Sequence, residues 1–160
     1  MSVQRPASGQ ARGGGRPGFE PPTEEEIRRI VVEGDPLTLV QVAERVGRDL
    51  ARPGGNPRSP DALATSQIRS VFGKVRELDI HVRTAAASVT ELDQETYREL
   101  QLLRPKLAYQ AARTNGKGVQ WLKETLEPAI LLVERDRERF QHFVDFFEAI
   151  LAYHKAYGGQ

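Results

Sequence analysis

A chain of 160 residues, 39% of them hydrophobic and with a mean hydropathy of −0.51, is long enough for one domain with an ordinary core. It contains no cysteine, which excludes disulfides, thiolate metal sites and cysteine nucleophiles and suits a reducing, cytoplasmic compartment. The formal net charge is +1, so a surface for nucleic acid has to come from local arrangement rather than bulk charge. No apolar run is long enough to span a membrane, and the start Met1-Ser2-Val3-Gln4-Arg5-Pro6 lacks a signal-peptide hydrophobic region.

Residues 1–22 are rich in Gly, Pro and Arg, the composition of a disordered tail, and Arg12 to Arg16 resembles a short RGG-like arm. Thr23 followed by Glu26 predicts a capped helix start, with the first helix running to about Glu33 and ending at Gly34-Asp35-Pro36. A second helix is predicted from about Leu37 to Ala51, with Leu39, Val42, Ala43, Val46 and Leu50 on one face. The Pro/Gly-rich run Arg52 to Pro60 then separates an N-terminal helical extension and linker, 23–60, from a helical bundle over 61–160.

The third predicted helix spans about Thr65 to Ser88, with Ile68, Val71, Phe72, Val75, Leu78 and Val82 at helical spacing. A fourth starts near Asp93 and ends near Thr114. Pro105 lies inside it, which predicts a kink or break near Leu103. A fifth, from about Lys117 to Val133, contains Pro128. The sixth, from about Arg135 to Tyr157, gathers Phe140, Phe143, Phe146, Phe147, Tyr153 and Tyr157 and stops at Gly158-Gly159. Phe143, Phe147, Ile150 and Leu151 read as core, whereas Tyr153, His154 and Lys155 fit either a packing cluster or a subunit contact. No segment alternates as a strand would. The fold class is all-α, a small bundle of five to six helices.

Catalysis finds little support. His81, His142 and His154 are too dispersed to share a metal, and no phosphate-cradling glycine loop or metal-ligand motif is present. Glu134, Asp136 and Glu138 alternate with Arg135, Arg137 and Arg139, the pattern of a solvated ion-pair stretch. The sequence thus predicts no catalytic residue, no metal site and no cofactor.

Two basic stripes carry more information. Arg69, Arg76 and Arg83 recur every seven residues on the third helix, so they line one edge of it. Gly73 lies beside them, where a backbone can approach closely. This edge reads either as a solubilising flank paired with Glu77 and Asp79 or as a row of phosphate contacts. On the fourth helix Lys106, Tyr109 and Arg113 share a stripe that Leu102 extends, away from the Leu100/Leu103/Leu107 face. A tyrosine between two cations fits a base or sugar contact flanked by phosphate contacts; alternatively Leu102 and Tyr109 pack on another helix. Lys117, in the loop that follows, adds a further cation.

Several words of the chain occur in a familiar order: Ser66-Gln67-Ile68-Arg69, Lys74-Val75, Leu103-Arg104-Pro105-Lys106-Leu107-Ala108-Tyr109 with Arg113, and Phe143 to Lys155 with Gly158-Gly159. Over about Thr65 to Gly159 the chain resembles the small-subunit family, protein 2 of the Csm series, of type III-A CRISPR effector complexes. The resemblance implies a non-catalytic helical bundle that stacks in several copies along an antiviral ribonucleoprotein. Its partners would be backbone subunits, a large polymerase-like subunit and the guide RNA–target RNA duplex. The chain departs from the family in its long Gly/Pro-rich start and in Ser70 and Gly73, where larger or basic residues are expected.

The two lines of reading meet on Arg69, Lys74, Arg76, Lys106, Tyr109, Arg113 and Lys117 as RNA-binding residues, with contacts to phosphates and sugars that accept any guide sequence. The free chain is expected to self-associate, as a dimer, through faces meant for neighbours. The alternative is a helical scaffold that packs on other subunits without touching RNA.

Overall fold

The computed structural model describes residues 18–160; the RGG-like run Arg12 to Arg16 and most of the predicted tail lie outside them. Six α-helices are found among the described residues: α1 Glu24–Val31, α2 Pro36–Ala51, α3 Thr65–Arg83, α4 Gln94–Arg113, α5 Gly118–Val133 and α6 Arg137–Ala156. A short 3-10 turn, Pro53–Gly55, follows α2. The described residues form no strand, and Glu91 and Asp136 make an isolated bridge. The architecture is the predicted all-α bundle.

Local chemistry sets the helix ends. At α1 the Glu26 amide donates to the Thr23 hydroxyl at 3.1 Å and the Thr23 amide donates to Glu26 Oε1 at 2.9 Å, the reciprocal cap read from the sequence. Glu26 also receives both terminal nitrogens of Arg45, at 2.8 and 3.0 Å, which ties α1 to α2 and holds the Glu26 carboxyl below its ordinary range. Asp35 caps α2, accepting from the Leu37 amide at 3.1 Å, and Pro36 takes the first helical position, where its missing N–H has no partner to lose.

The structure adds to or departs from the sequence reading at several points. Helix α3 ends at Arg83, short of the predicted Ser88. The Thr84 hydroxyl turns back onto the His81 carbonyl at 2.6 Å, and Arg137 draws the carbonyls of Ala86 and Val89 to itself at 2.6 and 3.0 Å. Those carbonyls serve a tertiary tie instead of another helical turn. Of the kink or break expected at Pro105, the break does not occur: α4 runs through it, and α5 likewise runs through Pro128. Both prolines are exposed, so solvent can take the place of the missing backbone bond while the opposite faces stay buried. Finally, Phe19 falls within the stretch read as tail, yet it is buried and stacks on Trp121 with ring centroids 5.2 Å apart.

One core cluster takes residues from all six helices. Helix α6 is at its centre and packs against α1, α2, α3 and α5, most extensively against α2. That central position explains why Phe146 is buried together with Phe140, Phe143 and Phe147, although it lies off the stripe read from the sequence. Leu151, predicted as core, sits at its edge. The α2–α6 crossing is close enough to require Gly47, where a Cβ would come within 2.8 Å of the Ile150 carbonyl oxygen.

The end of α6 is a packing cluster. His154 is fully buried, with its Nε2 2.7 Å from the Leu63 carbonyl oxygen, and the Tyr157 hydroxyl donates to Glu44 at 2.7 Å. Tyr153 is partly buried against the core, and Lys155 is exposed. The alternating charges before α6 are also structural. Asp136 caps α6, Arg137 holds the 85–89 carbonyls, Arg139 donates to the Leu132 carbonyl at 3.1 Å and Arg135 covers the Tyr97 ring at 4.5 Å. Arg139 also pairs with Glu134 at 3.8 Å, so the stretch keeps part of the ion-pair character read from the sequence while it fastens α6 to the α3–α4 loop, α4 and α5.

Candidate nucleic-acid interface

Helices α3 and α4 are consecutive and pack side by side, leaving a groove between their outer flanks. The start of α3 faces the end of α4: Ser66, Gln67 and Ser70 share a hollow with Gln110, Arg113 and Thr114. One turn further along, Ser70 and Lys74 share a hollow with Lys106 and Gln110. Beyond that the groove is lined by Glu77 and His81 from α3 and by Glu95 and Glu99 from α4. The groove is thus basic at the end formed by the C-terminal part of α4 and acidic at the other.

The predicted residues divide between two places. Lys74, Lys106 and Arg113 come together on the groove. At roughly 100° per residue, Arg69 and Arg76 lie about 140–160° around α3 from Lys74, on its outer edge. Both arginines are exposed and have no ion-pair partner among the described residues. Arg83, on the same edge, is held by Asp79 at 3.0 Å. The other anticipated partner, Glu77, pairs with Lys74 instead, at 3.6 Å.

Lys74 is the least free of the groove cations. Its ammonium lies 3.2 Å from Glu99, which raises the lysine's proton affinity and lowers the Glu99 carboxyl below its ordinary range. Lys106 is exposed and makes no ion pair among the described residues. Tyr109 is 63% exposed, so it does not pack on another helix as one reading allowed. The Arg113 guanidinium lies over the Tyr109 ring, 5.3 Å from its centroid, which holds a flat cationic surface open to solvent.

Lys117 belongs to the same end of the bundle but has a second task. Its amide donates to Asp61 at 3.0 Å, so that amide is not available to a ligand. The glycines beside it serve the same closure, because a Cβ on Gly116 would collide with the Pro60 carbonyl oxygen. The Lys117 side chain itself is exposed.

Sequence reading missed the neutral lining of the groove. Ser66 and Ser70 are four residues apart on α3, and Gln110 and Thr114 four apart on α4. Each pair shares a helix face, but only the pairing of the two helices makes them converge. Elsewhere, His81 bonds Asp93 at 2.8 Å and His142 bonds the Val31 carbonyl at 2.9 Å. No group of three His, Asp or Glu side chains among the described residues could hold a metal ion. No helix there is long and apolar enough to cross a membrane.

A model of the Csm2 Type III-A family matches residues 34–160, a span that takes in α2 as well as the helices from Thr65 onward. No curated protein matches the chain. A family match over most of the chain, on an all-α bundle, agrees with the words read from α3, α4 and α6. The chain belongs to the Csm2 Type III-A family, the small subunits of type III-A CRISPR effector complexes.

Proposed function

We propose that this small subunit is non-catalytic, stacks in several copies along its type III-A ribonucleoprotein and helps hold the guide RNA–target RNA duplex in antiviral defence. The contacts are sequence-independent and go to the RNA backbone. The reading rests above all on the exposed Lys106–Tyr109–Arg113 stripe, which has no carboxylate partner among the described residues. Unpaired cations beside an exposed aromatic ring suit phosphates and sugars, and the planar Arg113 fork suits paired phosphate oxygens. Lys74 and Lys117 extend the basic end. Arg69 and Arg76 supply a separate set of phosphate contacts on the outer edge of α3. Backbone subunits and the large polymerase-like subunit are the protein partners, and the cleavage chemistry belongs to them.

The test is a complex assembled with a Lys106→Glu/Arg113→Glu subunit. Hydrogen bonds to charged groups are worth roughly 1.5–3 kcal/mol, so target-RNA affinity should fall by about tenfold or more. The dependence of affinity on salt should become shallower at the same time. Unchanged affinity with an unchanged salt slope would leave the chain as a scaffold that packs on its neighbours. Ultraviolet crosslinking of the complex to target RNA gives a second measure, with Tyr109 peptides expected among the crosslinked products.

A further inference from the structure

The middle of the α3–α4 groove is not charged. Its two hollows meet at Ser70 and Gln110, over a buried apolar floor of Val71, Leu103, Leu107 and Val119. The Thr114 hydroxyl is engaged by the Gln110 carbonyl at 2.7 Å, and the Gln67 side-chain oxygen by the Ala64 amide at 3.0 Å. The side chains of Ser66, Ser70 and Gln110 have no hydrogen-bond partner among the described residues. They are neutral groups that both donate and accept. Lys106 and Arg113 stand seven residues apart on α4, about 10 Å along the helix, and bracket this slot.

A phosphate alone would use the two cations and leave the slot empty. An apolar floor with a few convergent neutral polar groups suits a largely uncharged ligand part. A ribose has that character: its carbon face is apolar, and its 2′-hydroxyl donates and accepts. We infer that the α3–α4 groove seats one ribonucleoside of the bound target RNA, with Lys106 and Arg113 on the flanking phosphates and Ser70 and Gln110 hydrogen-bonded to the 2′-hydroxyl. The inference rests on the RNA-binding reading above and adds to it a chemical selectivity. The groove tells ribose from deoxyribose whatever the base sequence.

The experiment compares two target strands of one sequence, all-ribose and all-deoxyribose, binding to complexes assembled with wild-type or Ser70→Ala/Gln110→Ala subunit. Loss of a neutral hydrogen bond is worth roughly 0.5–1.5 kcal/mol, so the preference for ribose should narrow by about two- to tenfold. The narrowing should come from weaker binding of the ribose strand, with the deoxyribose strand unaffected. A Ser70→Leu variant, which fills the slot, should lower ribose binding further. Thermal melting of each free variant confirms that the subunit folds. An unchanged ribose preference, or an equal loss for both strands, overturns the inference. If the Lys106→Glu/Arg113→Glu complex has lost affinity for both strands in that same experiment, the RNA-binding reading stands without the nucleoside seat. If it has lost none, both fall together.

Discussion

The Lys74 ammonium lies 3.2 Å from the Glu99 carboxylate, across the α3–α4 groove at the point where its basic half meets its acidic half. This pair decides how far the positive surface extends. Glu99 also lies within electrostatic reach of Lys106, so its charge is felt on both sides of the junction. Arg69 and Arg76 on the outer edge of α3 face no such competitor. An internal carboxylate makes the groove hold an anionic ligand less tightly than its cations alone would.

Glu99→Gln should therefore strengthen target-RNA binding by the assembled complex. Removing the carboxylate leaves Lys74 with only its longer, 3.6 Å pair to the exposed Glu77, which a phosphate can displace, and removes a negative charge near Lys106. The diagnostic is the slope of log affinity against log salt concentration. It should steepen by roughly 0.7–0.9 for each further phosphate that a freed cation neutralises. Fluorescence anisotropy with labelled target RNA over a salt series measures it. An unaltered slope would mean that Lys74 reaches no phosphate even without Glu99, and that the pair only joins α3 to α4.

Gly73 is the exposed interior residue of α3 that nothing in the fold requires. A Cβ built there meets no atom within 4 Å, and the backbone is ordinary helix. Glycine in a helix interior is less favourable than alanine by about 0.5–1 kcal/mol. Gly73→Ala should stabilise the free chain by that amount, read as a higher urea midpoint with an unchanged denaturant slope. A destabilised variant would mean that α3 in solution is distorted near Arg69 and Arg76, and that the edge they form is not the one described.

The helices and the aromatic core could be read from spacing because each apolar face repeats at the helical period. Phe19 could not, since a lone phenylalanine in a Gly/Pro-rich segment has no period to betray it, and its partner Trp121 lies about a hundred residues away. The end of α3 was hidden for a similar reason: the arginine that draws off the next carbonyls comes from the start of α6. The candidate site was half legible. The stripes of cations are local features of single helices. Which stripes converge depends on how α3 and α4 pair, and that pairing puts Lys74 with Lys106 and Arg113 while turning Arg69 and Arg76 away. The Lys74–Glu99 pair and the Ser70–Gln110 slot belong wholly to tertiary structure.

Acidification should destabilise the fold through His154. This residue is fully buried between α6 and the segment before α3, with one ring nitrogen on the Leu63 carbonyl and the other without a partner. Burial pushes its pKa below the ordinary histidine value, and the adjacent Lys155 acts in the same direction. In the unfolded chain the ring titrates near about 6.5. Below that pH the unfolded state takes up a proton that the folded state refuses, so stability falls on acidification, by at most about 1.4 kcal/mol per pH unit from this residue. The loss continues until the pH reaches the depressed folded-state value, and above about 6.5 this residue adds no pH dependence. His154→Phe removes the bond to Leu63 and should be less stable than wild type at pH 7.5. Because the phenyl ring cannot titrate, the gap between the two proteins should shrink as the pH is lowered to 5. Urea midpoints of both chains over that range measure the gap. A gap that stays constant would show that the folded protein accommodates a charged His154, and that the C-terminal packing cluster is more open to water than its burial implies.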